Sequence, residues 1–115
     1  MFDDIIKKEE INVIDVYRIK YRKDYHPGKW NTWYMNVLAI VEGKSIVLQA
    51  LEYDITAQGT GIRKALLAFE KILTSQIALD ENGGKKPLEN IKHAPLKYWD
   101  VFDAYEDEIV GITFT

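Results

Sequence analysis

Glu52 and Asp54 stand two residues apart at the end of the apolar run SIVLQALEYDI, just ahead of the turn Gln58-Gly59-Thr60-Gly61. On a strand, side chains alternate between faces, so these two carboxylates would point to the same side. Paired in that way they could hold a divalent cation or act as an acid–base couple. A metal site needs further ligands, and none is spaced nearby. The other reading is a joint between a sheet and its covering helix. There Leu51 and Tyr53 face the core while Glu52 and Asp54 reach solvent or backbone donors. We take the joint as the expectation. The segment QGTGIRK that follows has neither GxGxxG nor GxxxxGK[ST], so its glycines are expected to serve packing rather than to cradle a phosphate. Thr60 is the expected helix cap.

The remaining chemistry-bearing residues are few. Only two histidines occur, His26 and His93, each near a proline and without a spaced carboxylate partner. Cysteine is absent, which excludes disulfides, thiolate metal sites and thiol nucleophiles. Ser45 opens a strand and Ser75 lies late in a helix, so neither suits a nucleophile elbow. No catalytic residue, metal or cofactor is expected.

A denser cluster is basic and aromatic. Arg18, Lys20 and Arg22, with Lys23 beside them, form a positive edge, and Tyr25, His26, Lys29, Trp30, Trp33 and Tyr34 follow closely. Basic side chains pair with phosphates and aromatic faces stack bases, as binding of single-stranded RNA requires. Tryptophan, tyrosine and arginine also anchor protein interfaces. The blander account is a solvated edge strand that uses its charges against aberrant pairing, next to a core-filling aromatic cluster. Near the other end DAYEDE supplies an acidic surface: Asp103, Glu106, Asp107 and Glu108.

These residues must be positioned by one domain, since 115 residues cannot support two independent cores. A net charge of −3 excludes a polycation, so nucleic acid would need a local patch. The longest apolar runs, such as VLAIV at 37–41, are strand-sized, and MFDDIIKKEE is no signal peptide. The chain is therefore expected in the cytoplasm and off the membrane. Phe2–Lys8 suggests one short helical turn. From Val16 the residues alternate, placing Tyr17, Ile19 and Tyr21 on one strand face and Arg18, Lys20 and Arg22 on the other. KDYHPGKWN (23–31) reads as a loop, TWYMNVLAIV as a second strand and Glu42-Gly43-Lys44 as a hairpin turn. Ile46–Leu51 is apolar on both faces, as a central strand covered on both sides would be.

Ile62, Ala65, Leu66, Phe69, Ile72, Leu73 and Ile77 recur at helical steps, and Gly83-Gly84 with Pro87 stops the helix. Pro95 can open a second helix over 96–108, and IVGITFT closes the chain with strand composition. The expected fold is α+β: an antiparallel sheet of three to four strands covered on one face by a long helix, with a helical C-terminal extension. A core over 32–79, an added strand over 11–23 and an extension over 80–115 make up the single domain.

The segment LEYDITAQGTGIRKAL, within Tyr34–Leu79, resembles the HicB-like domain of bacterial toxin–antitoxin systems and their orphan relatives. Gly59 matches the family's glycine, Ile62 its first buried helical residue and Ala65-Leu66 its alanine–apolar pair. Gly61 and Lys64 depart from it, standing where the family often has threonine and glutamate. Nothing after Leu79 reads as the DNA-binding module that the antitoxins usually add. The resemblance implies a shortened ribonuclease H-like sheet and a non-catalytic, antitoxin-like module. Such a module would mask a protein partner, an RNase toxin or a host defence factor, and would associate as a dimer or tetramer. The binding residues would be Arg18, Lys20, Arg22, Trp30, Trp33 and Tyr34, with Asp103, Glu106, Asp107 and Glu108 for a basic partner. Single-stranded nucleic-acid binding is the alternative. A degenerate metal-dependent nuclease built on Asp15, Glu52, Asp54 and Glu70 is a further one.

Overall fold

The computed structural model describes residues 11–26 and 28–114, so the turn expected over Phe2–Lys8 lies outside the described residues. Five strands form a single mixed sheet: β1 (Val13–His26), β2 (Lys29–Glu42), β3 (Ser45–Ala50), β4 (Thr56–Gly59) and β5 (Ile109–Phe114). Their order is β4-β3-β2-β1-β5. All neighbours are antiparallel except β1 and β5, which run parallel. Helix α1 (Ile62–Asn82) follows β4, and helix α2 (Leu96–Asp103) with a short 3-10 turn at Glu106–Glu108 leads into β5.

The α+β class holds, while the sheet is larger than expected. The terminal run pairs in parallel beside β1, from Val16 opposite Ile109 to Tyr21 opposite Phe114. Arg18 and Lys20 therefore stand between two paired strands, not at an edge, while Arg22 lies just past the paired stretch. The loop expected over 23–31 is also mostly strand. Lys23 pairs with Asn31, Asp24 with Trp30 and His26 with Lys29. Helix α1 steadies this hairpin end: Glu81 accepts from the Lys23 ammonium at 2.6 Å and from the Tyr25 hydroxyl.

The helices lie on opposite faces of the sheet, which corrects the single-face arrangement. Helix α1 covers one face by burying Ala65, Phe69, Leu73 and Ile77, at four-residue steps, against Tyr17, Ile19, Met35, Val37, Leu48 and Ala50. Ile62 and Leu66 are half-buried at its margin, and Ile72 is exposed. Phe102 of α2 and Ala94 cover Val16, Leu38 and Ile40 on the other face, with Leu51. Two cores on one sheet explain why Val37, Leu38, Ala39 and Ile40 are all buried in succession, and Leu48, Gln49 and Ala50 at the end of β3 with them. Thus β2 and the second half of β3 are covered on both sides, while Ile46 and Val47 are only half-buried.

Helix α1 begins at Gly61, which occupies the cap position without a side-chain hydrogen bond, so Thr60 is not the cap. The glycine that matters is Gly59. A methyl group there would lie 2.5 Å from the Ala65 nitrogen, too close for the first helical turn to tolerate. At the other end, Gly83 closes α1 and the Asp80 carboxylate accepts the Leu88 N–H at 2.8 Å, tying the following segment back to the helix.

Candidate functional site: an open basic and aromatic sheet face

Strand β3 ends at Ala50, so Glu52 and Asp54 lie in a turn rather than on a strand. Asn36 donates its backbone N–H to one oxygen of Glu52 at 2.7 Å and its side-chain amide to the other at 2.8 Å. Glu52 thus continues the β2 ladder where β3 leaves it. Gln49, the one buried polar side chain among the described residues, donates its amide to the Ala50 carbonyl and to Asp54, each at 2.8 Å. The polar residues at this joint satisfy one another and the backbone, as buried polar groups must. Glu52 also lines a cleft of about 420 Å³ with Glu89 and His93. Among the described residues, no group of three or more His, Asp or Glu side chains is placed to hold a metal ion.

The joint reaches the basic face through Asn36. Its side-chain oxygen accepts from the Arg18 Nε at 3.0 Å, so the two bonds that Glu52 makes to Asn36 also orient Arg18. From Arg18 the cations step along β1 at every second residue, about 6.7 Å apart by strand geometry. Cross-strand pairing places Arg18 opposite Asn36, Lys20 opposite Tyr34 and Arg22 opposite Thr32, all on the face that α2 leaves uncovered. The Lys20 ammonium lies 5.9 Å from the Tyr34 ring centre, and the Arg22 guanidinium reaches diagonally to lie 3.6 Å from that of Trp30. Trp30 is 50% exposed and Tyr34 57%.

Trp33 does not belong to this surface. It faces α1's side of the sheet, is 8% exposed and stacks on Tyr21 with ring centres 5.7 Å apart. It stands three positions from Trp30 and one from Tyr34, both odd offsets, so strand alternation sends it to the opposite face. On the acidic side, Asp103 is exposed at the end of α2, and Asp107 and Glu108 are exposed just before β5; the Glu106 side chain lies outside what is described.

Sequence patterning missed the part played by β5. Gly111 lies opposite Arg18 and Thr113 opposite Lys20. With Ile109 they floor a cleft of about 430 Å³ walled by Arg18, Lys20 and Tyr34. Gly111 leaves that floor open, since a methyl group there would meet nothing within 4 Å. Only the parallel pairing of β5 with β1 brings these residues together.

Two phenols are harder to ionise than usual. Burial and the adjacent Asp15 carboxylate raise Tyr17 to about 12. Burial and the Glu81 carboxylate raise Tyr25 to about 12. Glu81 is held below the ordinary carboxylate value by its hydrogen bonds from Lys23 and then Tyr25.

Comparison of the chain with protein-family models, curated proteins and solved structures finds no match.

Proposed function

We propose that this protein is a non-catalytic regulatory module that acts by contact, masking an anionic partner with the open face of its sheet. One observation carries the reading: Arg18, Lys20, Arg22, Trp30 and Tyr34 share a single uncovered face. Charges of one sign on a fixed scaffold steer and orient a partner of the other sign, and exposed rings beside them supply apolar contact. Glu52 and Asp54 support a non-catalytic role, because their carboxylates are engaged by Asn36 and Gln49. The HicB-like resemblance adds the antitoxin-like character and an oligomeric state of two or four subunits.

A HicA-like toxin is itself basic and would be repelled by this face. Exposed Asp103, Asp107 and Glu108 favour a second reading, in which such a toxin docks at the acidic end instead. Affinity capture from cell extract separates the two. Converting Arg18, Lys20 and Arg22 to Glu should abolish capture of an acidic protein or nucleic acid. Neutralising Asp103, Glu106, Asp107 and Glu108 should abolish capture only of a basic protein. Capture that survives both sets of changes would refute masking by either surface.

A further inference from the structure

We infer that the ligand of the open face is single-stranded nucleic acid, with phosphates along β1 and bases stacked on β2; the inference rests on the anionic-partner reading above. The geometry separates two kinds of contact that a single strand needs side by side. Arg18, Lys20 and Arg22 form a row of three charges at a strand's two-residue step, about 6.7 Å. That step is comparable to the distance between successive phosphates of an extended nucleic-acid chain. Beside the row, Trp30 and Tyr34 present half-exposed rings about 13 Å apart along β2, with only Thr32 between them. Two bases can therefore stack with room for one more between them, while their phosphates follow the cations.

The charges are already coupled to the rings. Arg22 lies against Trp30 and Lys20 near Tyr34, so each ring carries its own cation. A base can stack on an indole, a phenol or a guanidinium plane, and stacking tolerates any base identity. The cleft over Gly111 and Thr113, walled by Arg18, Lys20 and Tyr34, gives a phosphate or sugar a place beside Tyr34. Carboxylates bound the strip. Asp24 pairs opposite Trp30 at the hairpin end, and Glu52 holds Asn36 at the other. These ends limit the footprint to about three or four nucleotides, near the lower limit for small single-strand modules. An acidic protein surface could also use the rings as anchors; what favours a single strand is the match between the two-residue cation step and successive phosphates.

The test is equilibrium binding by fluorescence anisotropy with three probes: a labelled oligouridylate of about twelve nucleotides, an RNA duplex of equal length and an oligoglutamate peptide. The oligouridylate should bind best. A plot of log K against log salt concentration should have a slope near −2, from three phosphate contacts at about 0.7 each. Trp30→Ala and Tyr34→Ala should each weaken binding about tenfold, the usual scale for one base–aromatic stack. Lys20→Ala should reduce the slope by about 0.7. Gly111→Val, which adds bulk to the cleft without charge, should also weaken binding, and circular dichroism would confirm that each variant is folded. If the oligouridylate binds through the cations but ignores the ring variants, the stacking inference is overturned while the anionic-partner reading stands. Tighter binding of oligoglutamate overturns the inference in the same way. If no probe binds and the Arg18, Lys20 and Arg22 to Glu variant still captures its partner from extract, both readings fall.

Discussion

Both oxygens of Glu52 are taken by a single residue, Asn36, through its backbone N–H at 2.7 Å and its side-chain amide at 2.8 Å. The remaining polar atom of that side chain accepts from Arg18 at 3.0 Å. The joint between sheet and helix and the basic face are thus one network. Glu52→Ala should cost about 1–3 kcal/mol, because it strands a partly buried N–H, and should also loosen Arg18. Denaturant unfolding measures the first effect. Combined with Asp54→Ala, the change should lower stability and abolish no reaction. Metal-dependent cleavage of RNA or DNA by the purified protein, lost in the double variant, would contradict this account of the joint.

Trp30 and Trp33 should respond oppositely to truncation. Trp33 is packed under α1 and stacked on Tyr21, so Trp33→Ala should cost about 3–5 kcal/mol. Trp30 stands half in water, and Trp30→Ala should stay within about 0.5 kcal/mol of the parent. Urea midpoints of the two variants decide between these placements.

At Gly59 the effect of substitution is steric. An added methyl group would press on the Ala65 nitrogen and the backbone and side chain of Lys64, all within 2.8 Å. Gly59→Ala should therefore destabilise by about 1–3 kcal/mol, since the start of α1 must shift. Gly111→Ala meets open space and should be tolerated, which makes it the control for the same thermal melt.

The clamp between α1 and the hairpin gives stability a defined pH dependence. Glu81 titrates below its ordinary 4.5 in the folded protein because Lys23 and Tyr25 hydrogen-bond its ionised form. The unfolded chain therefore binds more protons in that window, and stability rises with pH there. The contribution should be complete above 4.5 and disappear as pH falls through the lowered value. Tyr25 acts in the opposite direction. Its folded value of about 12 lies above the ordinary 10.0, so its contribution is complete below 10.0 and lost as pH rises through about 12. Stability of Glu81→Gln measured against pH should lack the acid slope and keep part of the alkaline one, which burial of Tyr25 sustains, and its difference from the parent should vanish at low pH.

Local periodicity made part of this molecule legible. The alternation at Tyr17, Ile19 and Tyr21 put the correct side of β1 inward, and the spacing of Phe69 and Leu73 gave the buried stripe of α1. The parity of Trp30, Trp33 and Tyr34 also separates the buried ring from the exposed two, but only if one strand runs unbroken through all three. Trp30 and Asn31 fall within the expected loop, and cross-strand pairing with Asp24 and Lys23 overrides that local preference. The parallel pairing of β5 with β1, far apart in the chain, leaves no local mark. It changes Arg18 and Lys20 from edge protection to positions flanked by a strand on each side, with Arg22 just past the last described pair, Tyr21 with Phe114. The second core under α2 is hidden for a similar reason. An apolar run such as VLAI reports burial on two sides without saying which segment supplies the cover.

The most direct test of the central claim is the dissociation constant of the captured partner for the parent and two charge variants, measured side by side in one buffer. With Arg18, Lys20 and Arg22 converted to Glu, we expect affinity to fall by more than about a hundredfold, since like charges set against a partner cost several kcal/mol. Neutralising Asp103, Asp107 and Glu108 should leave affinity unchanged or raise it. Unchanged binding by the first variant together with lost binding by the second would contradict the claim and place the contact at the acidic end.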